Sequence, residues 1–228
     1  QAIEYKESVN VKDESKIISQ TTYQNFFNIY AEKSGMTGTA DTEAAELLNV
    51  YNLNTVIIPT NKEIKRVDYK DKMYPNSLSK YKAIVEDIKE RHNNEQPILI
   101  GTPSLLISEK ISDILKKENI NHVVLNAKNN LSESKIIRNA GTRKAITICT
   151  NMGGRGTDII LGGNIDEDIN DIKADIDLSD VEKNNKIAIR KKAWMEDRKI
   201  IEEIGGLCVI GIDRNDARRI DNQLKGRA

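Results

Sequence analysis

Aromatic side chains make up only 4% of this 228-residue chain, with one tryptophan and two phenylalanines, so stacking platforms of the kind that hold single-stranded nucleic acid are poorly supported. Acids and bases balance at 35 each, giving a formal net charge of zero. That argues against attachment to nucleic acid by bulk electrostatics. No apolar run approaches the ~20 residues of a membrane-spanning helix, and the polar start, Gln1 to Glu7, does not read as a signal peptide. An initiator methionine is lacking, which suggests an excised or processed piece. Two histidines, His92 and His122, have no neighbouring metal-ligand partners; His92 reads as a helix-end residue and His122 as the lead into a strand. Two cysteines, Cys149 and Cys208, could form one disulfide, but each sits in an apolar run and reads as a free, packed thiol. No G-x-x-x-x-G-K-[ST] string occurs, so no phosphate-cradling loop of that kind is present.

From Pro97 onward, short apolar runs alternate with amphipathic stretches. Ile98 to Ile100, His122 to Leu125, Ala145 to Cys149 and Leu207 to Ile210 read as strands buried on both faces. Tyr81, Ile84, Val85 and Ile88 form one helical stripe; Ile107, Ile111, Ile114 and Leu115 form another, and Ser132 to Ala140 is a shorter helix. Strands and helices at this spacing predict an α/β lobe: a parallel sheet wound by right-handed crossovers and flanked by helices.

Residues 164–204 depart from that rhythm. Asn164 to Leu178 is acidic and reads as an exposed insertion, without the glycine and terminal glutamate of a calcium loop. Ser179 with Glu182 forms a capping box that opens a long helix to about Ile204, with Ile189, Ala193, Ile200 and Ile204 along one side and Trp194 beside them. Gly205-Gly206 stops it. The first sixty residues differ again. Thr21 to Lys33 reads as helix with Phe26, Phe27 and Tyr30 available to pack, Gly35 to Glu43 as a hydroxyl-rich tight turn, and Val56 to Ile58 as a short strand. A domain boundary is placed near residue 60, giving 1–60 and 61–228.

Chemistry concentrates in two places. One is Thr150-Asn151-Met152-Gly153-Gly154-Arg155-Gly156-Thr157-Asp158, directly after a strand. The other is Arg218-Arg219-Ile220-Asp221-Asn222-Gln223-Leu224-Lys225-Gly226-Arg227-Ala228. Glycines let backbone approach phosphate, and arginines stabilise charge as a phosphoryl group leaves. Gln223 and Arg227 lie one helical turn apart and can face one cleft, whereas adjacent Arg218 and Arg219 cannot share a face; one of them is expected to pair with Asp221 or a partner domain. Gly101-Thr102 ends a strand, where the crevice loops of parallel sheets gather. These residues complete an ATP site; they do not contain a whole one.

With Thr21-Thr22-Tyr23-Gln24-Asn25-Phe26-Phe27, Gly35-Met36-Thr37-Gly38-Thr39-Ala40-Asp41-Thr42-Glu43, Pro59-Thr60-Asn61, Pro97 to Thr102, Val124 to Lys128 and the two motifs above, the chain resembles the SecA family, the motor ATPases of bacterial preprotein secretion. The motifs follow the family's order across almost the whole chain. The resemblance implies a RecA-like fold, with 1–60 the end of the first nucleotide-binding domain, after its preprotein-crosslinking insertion. Residues 61–228 would be most of the second, with a variable insertion at 164–204. It implies ATP and Mg²⁺, held mainly by upstream parts. Arg227 would be a finger-type arginine, or the helper of a principal finger further along the motif, and Gly154, Arg155, Gly156, Thr157, Asp158, Gln223 and Gly226 would line the nucleotide cleft. Arg155 could equally form an interdomain salt bridge. Thr37, Gly38 and Thr39 resemble the motif that couples ATP state to lobe movement. Implied partners are the SecYEG translocon, unfolded preproteins, anionic membrane surface and the remainder of SecA, with a homodimer admitted and no specific nucleic acid. The implied place is the cytoplasmic, inner face of the plasma membrane.

Three departures stand out. Gly153 replaces the family's usual alanine, Lys225 the usual arginine, and Asp213 to Ala217 differs from E-R-H-E-S. Two rivals remain: the second lobe of a nucleic-acid helicase, which shares the two-lobe plan, and a non-enzymatic regulatory lobe. The chain by itself is expected to bind nucleotide weakly without turning it over.

Overall fold

Thr22, in extended conformation, accepts the Asn25 amide on its hydroxyl and so caps α1 (Tyr23–Asn28). The structure is a computed structural model that describes residues 6–7, 18–125, 133–150, 157–175 and 178–228. It divides into two compact units, Gln1–Pro59 and Thr60–Ala228. In the first, α1 is shorter than the Thr21 to Lys33 helix expected. Phe26 meets Phe27 and Tyr30 edge to face, yet these rings stay 43–53% exposed, too little burial to extend the helix. Phe27 also meets Tyr51, the last residue of α2 (Ala44–Tyr51), a helix that the sequence reading did not include. The expected strand at Val56 to Ile58 does not form. Those side chains are 71–81% exposed, and among the described residues no neighbouring strand offers a ladder for their backbone groups.

The second unit runs α3 (Ser77–Asn93), β1 (Ile98–Thr102), α4 (Leu105–Lys117), β2 (Val123–Leu125), α5 (Glu133–Asn139), β3 (Ile146–Thr150), α6 (Asp166–Ala174), α7 (Asp180–Glu203), β4 (Cys208–Gly211) and α8 (Arg218–Lys225). The strands order β2-β3-β1-β4 and are all parallel, with Ile98 opposite both Ile146 and Cys208. This is the α/β, RecA-like sheet flanked by helices that the alternation predicts. Only β1 and β3, the central pair, are buried throughout most of their length. The edge strands β2 and β4 are half-open, which corrects the expectation of burial on both faces for all four.

Alternation along β1 sorts the core. Ile98 and Ile100 join Ile146, Ile148, Ile111, Leu115 and the α3 stripe Tyr81, Ile84, Val85 and Ile88 on one face. Leu99 joins Leu125, Ile137, Cys149 and Leu207 on the other, with Leu224 packed against them. Each wholly buried isoleucine or leucine contributes about 1.5–3 kcal/mol. Both cysteines are free, and burial pushes the Cys149 thiol up to about 11, well out of the reactive range. His122 is tied at both ring nitrogens, to Ser112 Oγ and the Ile120 carbonyl, each at 2.8 Å.

The acidic insertion is not a bare exposed loop. Asp166, Glu167 and Asp168 occupy the first turn of α6, where the helix dipole favours them. Asp168 takes Arg190 of α7 at 2.9 Å and Arg138 of α5 at 3.6 Å, while Arg138 also pairs with Glu167. The capping box at Ser179 and Glu182 is present. The inward side of α7 differs from the predicted stripe. Ile201 is buried and Lys183, Ile187, Arg190, Trp194, Asp197 and Ile204 are half-buried, whereas Ile189 is 70% exposed. Polar anchors set this rotation: Trp194 Nε1 donates to the Gly163 carbonyl at 2.8 Å, Arg190 pairs with Asp168, and Asp197 pairs with Arg143. A search for apolar periodicity alone passes over such a face.

Candidate functional site

Parallel strands deliver their C-terminal ends to one edge, and the loops there form the crevice. At that edge Thr102, wholly buried, donates its hydroxyl to the Cys149 carbonyl at 3.2 Å and to that of Ser104 at 3.3 Å, fixing the end of β1 against β3. Helix α8 lies over the neighbouring Gly101. A Cβ on that glycine would fall 2.4 Å from Leu224 Cδ2, so the helix seats only because the side chain is missing.

Beyond α8 the chain keeps turning. Gly226 is right-handed helical, and Arg227 N donates to the Leu224 carbonyl at 3.1 Å. This carries Arg227 to the edge of β3, where its Nη1 donates to the Thr157 carbonyl at 2.7 Å and its charge acts on Cys149. The end of the Gly-Arg-Gly motif and the end of the chain therefore meet. Gln223 and Arg227 are half-buried; Thr157 and Asp158 are exposed. Gly154, Arg155 and Gly156 lie outside the described residues, as does Asn126 to Lys128. Thr37, Gly38 and Thr39 belong to the other unit. There the Thr39 amide donates to Thr37 Oγ1 at 3.4 Å, and Thr42 Oγ1 donates to the Thr39 carbonyl at 3.2 Å, a hydroxyl-pinned turn.

Asp221 is held by Asn215, through the backbone amide at 3.1 Å and Nδ2 at 2.8 Å, and by Arg214 Nη1 at 3.3 Å. Arg214 lies in the loop before α8 and reaches it from there. Burial alone would raise the Asp221 pKa, but the Asn215 and Arg214 bonds outweigh it and hold the carboxyl below the ordinary 3.8. The folded value is the lower one. Its stabilisation is therefore complete above 3.8 and is lost as pH falls through the folded value. Thermal unfolding followed from about pH 6 to about pH 2 is expected to show this acid loss, reduced in Asp221→Asn; an unaltered acid slope in that variant would count against it.

Gly141 was not singled out from sequence, where it reads only as a glycine after a helix. In the structure its position leaves 2.1 Å between a would-be Cβ and the Ile160 carbonyl oxygen. Its own carbonyl accepts the Gly162 amide at 2.9 Å. This close approach holds the segment that follows Thr157 and Asp158. A groove of about 560 Å³, lined by His122, Asn139, Thr142, Lys144 and Thr147 among others, lies instead by the N-terminal ends of β2 and β3, away from the motif residues.

A family profile described as the SecA P-loop domain matches residues 63–228, and one described as the SecA DEAD-like domain matches residues 1–48. Despite the first description, residues 63–228 hold no G-x-x-x-x-G-K-[ST] string. A protein translocase subunit SecA from Neisseria meningitidis serogroup C (strain 053442) is 48% identical over all of this chain and 25% of its own length. Those of Cupriavidus metallidurans and Chromobacterium violaceum are 47% and 46% identical, likewise over the whole chain. The chain spans about a quarter of the length of these curated relatives. With one profile covering the whole sheet and the site at its C-terminal edge, the chain belongs to the SecA family.

Proposed function

We propose that this chain is the part of a SecA motor ATPase that closes over bound ATP, in a protein that couples hydrolysis to passage of preproteins through the Sec channel. In this reading residues 1–60 end the first nucleotide-binding domain and 61–228 form most of the second, with the variable insertion at 164–204. The observation that carries it is the meeting of Arg227 with Thr157 at the C-terminal edge of the parallel sheet. A guanidinium there, using one of its five donors on a carbonyl, is equipped to turn others toward a phosphoryl group. Gln223, one turn earlier, supplies a neutral amide and Asp158 a carboxylate for the nucleotide.

The donor set fits the phosphate side of ATP. Mg²⁺ is assigned in this reading mainly to the motor's other parts. When bound, Mg²⁺ would neutralise phosphate charge. This chain's contribution is to place a cation and exclude water as the cleft closes. Closure and release would alter the grip on an unfolded preprotein, a two-state equilibrium biased by nucleotide. SecYEG, preproteins and an anionic membrane surface are the partners, at the cytoplasmic face of the plasma membrane.

ATP turnover by the complete protein, measured with unfolded preprotein plus translocon membranes and separately with RNA, tests the reading. Stimulation by preprotein and membranes is the expected result. Stimulation by RNA alone would mean a helicase lobe. Sustained hydrolysis by the 228-residue chain alone would overturn the split-site argument.

A further inference from the structure

Residues 66–71 form no helix or strand, yet they reach the C-terminal end of α8 directly and its N-terminal end through Arg214. At its C-terminal end, Arg66 Nη1 donates to the Lys225 carbonyl at 3.3 Å. Asp68 aims that guanidinium, taking Nε at 3.0 Å and Nη2 at 3.4 Å. At the N-terminal end, Asp71 receives Arg214 in a two-pronged pair, Nε to Oδ2 and Nη2 to Oδ1, both at 2.8 Å. The remaining arm of Arg214 reaches Asp221 in the first turn of α8. The Lys225 carbonyl also accepts the Ala228 amide at 3.2 Å, and a cation beside that end of the helix is favoured by the dipole. One short strap thus supplies a cationic cap at one end of α8 and a carboxylate anchor at the other.

We propose that this strap is a clamp on the arginine helix and that Arg66 and Asp71, acting through Lys225 and Arg214, are positioning residues for Arg227. The inference rests on the reading of Arg227 given above. Its mechanical logic comes from the way α8 is seated. The helix seats on the sheet through Leu224, over Gly101 and near Gly211, with Ile220 to Lys225 buried or half-buried. Contacts at both ends oppose tilting of the helix about that seat. Arg227 follows the C-terminal end, so a small tilt of α8 is passed to its guanidinium, and displacements near 1 Å matter to catalysis. In the chain the strap comes soon after Pro59, where the first unit ends, so the covalent link between the units runs directly into the clamp.

The pairs are exposed, with Arg214 and Asp71 at 55% and 60%, so their contribution to overall stability is small. Orientation is what they control. The test is steady-state ATP hydrolysis by the complete motor with Arg66→Ala, Arg66→Lys, Arg227→Ala and the Arg66→Ala/Arg227→Ala double variant. Arg66→Ala is expected to lower kcat about fivefold with KM for ATP unchanged, the scale of one well-formed exposed arginine contact. Arg66→Lys, which can still cap the helix, retains most of the rate. The double variant matches Arg227→Ala alone, because a positioning residue has nothing left to position. Losses that multiply in the double variant, or an unchanged kcat in Arg66→Ala beside an impaired Arg227→Ala, would overturn the clamp and leave the reading of Arg227 intact. An unchanged kcat in Arg227→Ala would remove both. A raised KM in Arg66→Ala with kcat intact would make Arg66 a binding contact and sink the proposal.

Discussion

Arg227→Ala is expected to lower kcat of the complete motor by roughly a thousandfold while KM for ATP changes little, the pattern of a contact made chiefly in the transition state. The expectation rests on where the side chain is held. It stands at the C-terminal edge of the sheet, its Nη1 on the Thr157 carbonyl at 2.7 Å, two residues past the end of α8. Lysine should rescue it poorly, because a point charge on a flexible stem replaces neither the fork nor its planarity. Single-turnover hydrolysis separates chemistry from product release and is the measurement of choice. An unchanged rate together with a lower unfolding temperature would make Arg227 a loop anchor and would move the finger to another arginine.

Gly141→Ala carries the second large effect, this time on stability. Its Cβ would lie 2.1 Å from the Ile160 carbonyl oxygen and 2.8 Å from the carbonyl carbon. Both are backbone atoms, so no change of rotamer relieves the overlap. Overpacking of this kind costs about 1–3 kcal/mol. At roughly 2–4 °C per kcal/mol for a unit of this size, the unfolding temperature should fall by several degrees. The strain also pushes on the segment that carries Thr157, so the rate of the complete motor should fall with it. Gly101→Ala is the informative contrast. There the clash is with the methyl groups of Leu224 at 2.4 and 2.7 Å, and Leu224→Ala should restore room. No second-site truncation of that kind exists for Gly141, and a Gly141→Ala protein with an unaltered unfolding temperature would show that the approach is looser than described.

What could be read from the sequence follows physical reach. Continuous β-branched runs declared the strands, and the stripes at Tyr81 to Ile88 and Ile107 to Leu115 declared their helices, because burial imposes a local period. Edge position has no such period, so β2 and β4 were expected to be as buried as β1 and β3. The rotation of α7 was missed because Trp194, Arg190 and Asp197 are anchored through polar atoms to Gly163, Asp168 and Arg143. Val56 to Ile58 has strand composition but no partner among the described residues. At the candidate site the glycine and arginine strings were visible as chemistry. Gly141, Arg66 and Asp71 were not, since their partners are distant in sequence and leave no pattern nearby.

Chain entropy gives the clamp a further meaning. The Arg66–Lys225 and Asp71–Arg214 contacts close loops of 159 and 143 residues. The length-dependent part of closing such a loop is about 4.5 kcal/mol from (3/2)RT ln n. Two exposed arginine contacts, at about 0.2–1 kcal/mol each, cannot offset that. The ends of the second unit are brought together by burial of the sheet, with the strap fastening onto a loop already closed. It can therefore be undone without opening the fold, and a fastener of that kind can govern an arginine's aim while leaving the fold that carries it intact.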